Sequence, residues 1–215
     1  MRMWPPELLQ DLRTHCTAHG VYLILDEVMT GFGRTGTLFA HGQAAVVPDL
    51  LCLSKGLTGG ILPLALTWAT DEVYGHFWGE PQSGRAFLHG HSFTGNPIAC
   101  AVACASLALF EENPVLAQAE ALGDSLRHEW RRLAEHPAVR RPGNLGCIAA
   151  CNIIDPGTGR AHPAAARWSW NFHRKALDHG LLVRPMGDCL YLLPPLATPP
   201  ERVPGLVDAL LDLLG

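Results

Sequence analysis

Charge is scarce in this chain. Asp, Glu, Lys and Arg make up 17% of its 215 residues while apolar residues make up 48%, a balance that excludes an intrinsically disordered segment and calls for a packed core. An excess of basic residues is missing too: the formal net charge is −4, which argues against a general nucleic-acid surface. No apolar run reaches the length of a membrane span, and the first residues lack the basic-then-apolar pattern of a signal peptide. The expectation is a cytoplasmic protein. The seven cysteines, an odd number, contain no C-x-x-C pair. Cys100 and Cys104 stand four apart in an alanine-rich helical stretch, and Cys147 and Cys151 fall on one face of an expected strand. They read as small buried apolar residues in a reducing compartment rather than as a metal site or a disulfide framework. Internal repeats and low-complexity tracts are also absent.

What remains is length enough for one large domain or two small ones, with a substantial core. Pro5 to His19 suits a helix closed by Gly20. Val21 to Leu25 and Leu50 to Leu53 are short apolar runs of the kind found in buried parallel strands, and Leu62 to Trp68 is a third expected strand. Asn96-Pro97 is a cap followed by a first-turn proline and starts a helix running to about Glu111. Asn113-Pro114 repeats the signal and launches a longer, more charged helix that ends before His136-Pro137. Beyond it, Gly146 to Ile154 reads as a strand and D-P-G-T-G as a turn. Ala164 to His179 reads as a helix stopped by Gly180, with strands at Leu181 to Arg184 and Leu190 to Leu193 and a last helix at Glu201 to Leu214. The pattern is α/β, with a domain boundary expected near residue 113.

Two residues stand out chemically. Asp26 closes the apolar run L-I-L-D, and Lys55 follows the next one in L-C-L-S-K-G. In parallel α/β sheets ligands sit at the carboxyl ends of strands, where both fall. A lysine amine condenses with the aldehyde of pyridoxal phosphate, and a carboxylate opposite the ring nitrogen keeps that nitrogen protonated, so that the ring accepts electrons. Taken alone, an Asp-Glu pair after a strand also serves as a metal ligand or a helix cap, and an exposed lysine is ordinary solvated surface. G-F-G-R-T-G, Gly31 to Gly36, satisfies the letters of a dinucleotide fingerprint. It lacks the immediate strand-to-helix context that such a site requires. In H-G-H-S-F-T-G-N-P, Ser92 and the backbone near Gly90 and His91 offer a hydroxyl and N–H groups to a phosphate. The alternative for His89 and His91 is loop histidines capping backbone groups. V-R-P-M-G places Arg184 at the end of an expected strand, suited to a planar grip on a carboxylate or to a structural ion pair.

The words D-E-V-M-T-G-F-G-R-T-G, P-D-L-L-C-L-S-K-G-L-T-G-G, F-L-H-G-H-S-F-T-G-N-P-I-A-C-A and V-R-P-M-G-D-C-L-Y-L-L-P-P, in this order, resemble the class III aminotransferases of fold-type I. The last two are similar to the branch of that family that makes 7,8-diaminononanoate in biotin biosynthesis. The resemblance implies the C-terminal half of a fold-type I transferase. Residues 1–112 would be part of a mainly parallel α/β large domain that binds pyridoxal 5'-phosphate, and residues 113–215 a small α+β C-terminal domain. Met1-Arg2-Met3-Trp4 resembles the interior of a longer family chain, near its middle.

The resemblance further implies that Lys55 is the catalytic lysine, Asp26 the partner of the ring nitrogen and Val28 a side chain packed on the ring. The segment of Gly90, His91 and Ser92 would reach the cofactor phosphate held by a partner subunit, with Gly90 also binding substrate, which implies a homodimer with shared sites. Family members often carry Pro-Thr where His91-Ser92 stand; serine keeps the hydroxyl, and histidine frees an N–H. Arg184 would bind the carboxylate of 8-amino-7-oxononanoate, and Tyr191 would line the substrate pocket unless it is a core tyrosine. The implied reaction is transamination of 8-amino-7-oxononanoate with S-adenosylmethionine as donor. The alternatives are another class III ω-aminotransferase and a non-catalytic fragment.

Overall fold

The computed structural model describes all residues, Met1 to Gly215. By their internal contacts they fall into two compact units that are not contiguous in sequence: Pro5–Phe32 with Thr37–Pro114, and Met1–Trp4, Gly33–Gly36 and Val115–Gly215.

The first unit opens with helix α1, Pro6–Ala18, which starts at a proline whose missing N–H costs nothing in a first turn. Gly20, at φ 62°, follows the helix end, a conformation that glycine adopts without strain. Strand β1 is Ile24–Asp26, shorter and later than the expected Val21 to Leu25. Val21 and Tyr22 stay outside the ladder, because pairing with β2, Leu50–Leu53, begins at Ile24↔Leu50. The two strands run parallel. Strand β3, Leu66–Ala69, pairs antiparallel with β2, so the three-stranded sheet is mixed, in the order β1-β2-β3. Helix α2, Asp71–Gly75, is capped by Thr70. Helix α3, Pro97–Glu112, begins as the sequence signals: the Asn96 side chain accepts the Ala99 N–H at 3.0 Å, satisfying one of the orphan donors of the first turn.

The second unit is an α+β layer. Helix α4, Val115–Ala134, turns Leu122, Leu126 and Leu133 inward with no exposed surface. These residues pack against β5, Ile148–Asp155, and against Val203, Val207 and Leu210 of α6, Val203–Leu214. The i, i+4 and i+11 spacing in α4 and the i, i+4 and i+7 spacing in α6 each keep these side chains on one apolar stripe. β5 pairs antiparallel with β4, Val139–Leu145, with β6, Arg160–Ala161, and with β7, Cys189–Leu192.

Three expectations fail here. Strand β4 went unforeseen because Arg141-Pro142 fall where its register shifts between Arg140 and Gly143; a bulge tolerates a proline that a regular ladder excludes. The expected helix from Ala164 breaks at Arg167, φ 47°, into a short 3-10 turn at Ala164–Ala166 and α5, Trp168–Asp178. Leu181 to Arg184 alternates buried and exposed side chains like a strand but joins no ladder.

Two backbones meet at Gly146. It sits at φ 52°, and a Cβ there would lie 2.4 Å from the carbonyl carbon of Thr35. The Cys147 N–H donates to the Arg34 carbonyl at 3.0 Å, and the Arg34 guanidinium donates to the Pro194 carbonyl. The close crossing is required of Gly146, whereas a Cβ on Gly36 would meet nothing within 4 Å and one on Gly31 would meet the Glu27 carbonyl at 3.0 Å. No single helix is long and apolar enough to cross a membrane.

All seven cysteines are free. Cys147, Cys151 and Cys189 are buried, while Cys104 is exposed, against the expectation of uniform burial. Burial pushes the Cys151 thiol up to about 12, with Cys189 adding to the shift, so this sulfur is a packing atom and not a nucleophile.

Candidate active site

Only two lysines occur in the chain, Lys55 and Lys175. Lys175 is committed: its ammonium donates to the Leu213 carbonyl at 3.1 Å. Lys55 is exposed and enters no ion pair. It follows the carboxyl end of β2 and opens a 3-10 turn, Lys55–Thr58, at φ 48°. A left-handed lysine costs on the order of 1–3 kcal/mol and persists only where its surroundings fix it.

The fixing contacts can be named. The Gly60 N–H donates to the Lys55 carbonyl at 3.0 Å, and Leu57 N–H to the Ser54 carbonyl at 3.0 Å. The Ser54 and Thr58 hydroxyls donate to the Leu64 and Leu62 carbonyls, each at 2.6 Å. The Phe32 ring presses on Gly56 so closely that a Cβ there would lie 2.8 Å away.

Asp26 ends β1, beside β2, with Cα register Asp26↔Cys52. It is exposed, and one carboxylate oxygen accepts the Val28 N–H at 2.9 Å. The other has no partner within the chain. Asp26 and Lys55 thus emerge from the same ends of adjacent parallel strands without pairing with each other. Val28, half-buried, follows two residues on.

Glu27 carries information that sequence reasoning missed. It is only 3% exposed. One carboxylate oxygen accepts the Ala40 N–H at 2.6 Å, and the other accepts the His41 N–H at 2.8 Å and faces His41 Nδ1 at 2.7 Å. His41 stacks on Phe39 at 5.7 Å, Phe39 meets Phe32 edge-on at 5.6 Å, and Phe32 is the residue seated on Gly56. No spacing rule links Glu27 to positions 40 and 41, so the sequence alone carried no signal for it.

The Gly90–Asn96 segment is exposed up to Gly95. The His91 N–H, expected to be available to a phosphate, instead donates to Thr94 Oγ1 at 3.0 Å, and His91 Nδ1 accepts the Phe93 N–H at 3.1 Å. The turn uses those groups to close on itself. The Ser92 hydroxyl is left without a partner in the chain. His91 and Phe93 line a pocket of about 580 Å³ with Ser54, Leu64 and Asn96.

Arg184 and Tyr191 belong to the second unit. Arg184 does not end a strand, as expected; it lies in the extended run before a tight turn in which Met186 and Cys189 exchange both backbone hydrogen bonds at 2.9 Å. It is exposed and unpaired, while Tyr191, in β7 opposite Ala150, is half-buried. Arg184 and Tyr191 stand equally far from that turn on its two arms.

A lysine held in a strained turn stands beside a strand that ends in an open carboxylate, and comparison with known proteins gives the class. Residues 1–214 match the family described as Aminotransferase class-III, and the chain belongs to that family, whose members are pyridoxal phosphate enzymes. It is 46% identical over 215 residues to an adenosylmethionine-8-amino-7-oxononanoate aminotransferase of Synechococcus elongatus, covering 100% of this chain and 49% of that relative.

Among solved structures, the enzyme of the same name from Methanocaldococcus jannaschii superposes with a TM-score of 0.92 at 35% identity, covering 100% of this chain and 50% of that one. An (S)-enantioselective omega-transaminase from Thermomicrobium roseum gives 0.89 at 31% identity, covering 98% and 48%. These relatives carry fold-type I, of which the present α/β chain is a part. The chain spans about half the length of the curated relatives it matches.

Proposed function

We propose that the protein carrying these residues transfers an amino group from S-adenosylmethionine to 8-amino-7-oxononanoate, forming 7,8-diaminononanoate in biotin biosynthesis. The observation that supports this best is the uncommitted Lys55 beside Asp26, in a chain most similar among the reported relatives to enzymes of that name. Identity is higher to these relatives than to the omega-transaminase, which favours the biotin branch over the ω-amine alternative.

The residues fit the cofactor. Lys55 offers an amine with no competing partner, and Asp26 offers an oxygen with an open lone pair. When bound, pyridoxal phosphate supplies an aldehyde and an electron-accepting ring. Lys55 Nζ anchors the cofactor and, once released, carries the proton to and from the substrate carbon as general base and acid. Asp26 opposes the positive charge of the ring nitrogen and keeps its proton in place. Val28 packs on the ring face.

The Ser92 hydroxyl donates to the phosphate of the neighbouring site, with Gly90 and His91 shaping the turn, in a homodimer with shared sites. Arg184 clamps the substrate carboxylate in bidentate fashion, and Tyr191 lines the same pocket. We place the enzyme in the cytoplasm.

Borohydride reduction of the holoenzyme followed by peptide mapping tests the assignment directly. A pyridoxyl adduct is expected on Lys55, and Lys55→Ala should lose both the adduct and turnover. An adduct on Lys175 instead refutes the site. Turnover of ω-amines with no use of 8-amino-7-oxononanoate would keep the site and replace the substrate.

A further inference from the structure

Asp26 and Glu27 are adjacent carboxylates with opposite surroundings, and the geometry points to Glu27 as the residue that positions Asp26. This rests on the reading of Asp26 as the partner of the ring nitrogen. Every polar atom of Glu27 is engaged. Its N–H donates to the Cys52 carbonyl of β2 at 2.9 Å, and its carbonyl accepts the Gly31 N–H at 3.0 Å. Its two carboxylate oxygens accept the backbone N–H groups of Ala40 and His41 at 2.6 and 2.8 Å and take the His41 ring at 2.7 Å.

Hydrogen bonds to an ionised acceptor are short and about twice as strong as neutral ones, and this one is shielded from water. The Asp26 side chain, by contrast, makes one hydrogen bond, accepting the Val28 N–H. That donor lies on the far side of Glu27, so the direction of the Asp26 carboxylate is set by backbone that Glu27 pins to β2 and to the 3-10 turn Ala40–Ala44. Glu27 never reaches the reacting atoms. It acts through Asp26, as a buried post that lets an exposed carboxylate keep one direction.

The test uses Glu27→Gln in the full-length holoenzyme loaded with pyridoxal phosphate labelled with nitrogen-15 in the ring. Glutamine keeps the shape but turns an NH2 group toward one of the backbone donors. The expected result is a fall in kcat of about tenfold with acceptor KM moved less than about twofold. The ring-nitrogen resonance should shift toward the unprotonated value.

In an Asp26→Asn background the same change should cost nothing further, because residues acting as a unit are non-additive. Additive losses with an unmoved resonance overturn the proposal. If Asp26→Asn alone leaves kcat and the resonance unchanged, the Asp26 reading fails instead. If Glu27→Gln does not fold, His41→Ala, which removes one of the three donors, should show the same resonance shift at smaller amplitude. Its absence overturns the proposal equally.

Discussion

The two units bury their apolar residues to very different extents. In the second, Leu122, Leu126, Leu133, Leu190, Val203, Val207 and Leu210 are all fully buried around one core. In the first, the buried residues form two small clusters, around Phe32 and Leu53 and around Leu23 and Val46. Every residue from 74 to 95 is exposed, among them Trp78, Phe87, Phe93 and Leu88, the last at 94%.

Exposed apolar residues in such number are what interaction surfaces present. Lys55, Asp26 and Ser92 all belong to that under-buried unit. The comparison teaches that the groups assigned to the cofactor stand in the unit that packs least, while Arg184 and Tyr191, assigned to the substrate, stand in a unit ordered by its own core.

The sharpest way to break the contrast is a cavity. Leu126→Ala should destabilise the protein by about 2–5 kcal/mol, the range for a fully buried leucine, read from the urea midpoint. A loss below about 1 kcal/mol would mean that the second core is looser than its burial implies. Next in size, Asn96→Ala removes the hydrogen bond to the Ala99 N–H and should cost about 1 kcal/mol, seen as a lower melting temperature.

A smaller effect concerns acid. The Leu23 N–H, with Arg13 beside it, holds the Asp49 carboxyl below its usual range. Its stabilising contribution is therefore complete above the ordinary carboxylate value and is lost as pH falls through the depressed one. Melting curves across the acid range should show Asp49→Asn flattening that slope and leaving the neutral-pH optimum in place. The smallest effect is expected from Leu88→Ser, within about 0.5 kcal/mol in unfolding. In the homodimer reading the same substitution should weaken dimerisation, measured by sedimentation.

What the sequence made legible follows the range of each signal. The Asn96-Pro97 and Asn113-Pro114 starts, the Gly180 stop and the β2 limits rest on neighbouring residues, and they agree with α3, α4, α5 and β2. β4 escaped because a proline and a glycine are tolerated only at a bulge, and a bulge is defined by its partner strand. Leu181 to Arg184 showed the right alternation, and alternation reports which side faces the core without reporting a neighbouring strand.

The candidate site divides the same way. Lys55 and Asp26 stand out by position after apolar runs, and the surrounding family words single them out as candidates. The left-handed backbone of Lys55, the closed turn at His91 and the clamp at Glu27 depend on contacts across the chain, which composition and spacing do not encode.

The crossing at Gly146 decides where this molecule can be cut. Gly33–Gly36 belongs with the second unit although it lies some eighty residues before that unit's main stretch begins at Val115. A protein engineer who separates the halves at the visible joint near residue 113 would remove a piece that the distal half is built around. Gly146 would face a groove with no Thr35 or Gly36 in it, and the Cys147 N–H and the Pro194 carbonyl would lose their partners together. A graft or a fusion therefore has to carry Met1–Trp4 and Gly33–Gly36 with Val115–Gly215 or redesign the groove: this unit is drawn from three stretches of sequence, and a single scissor cut does not yield it.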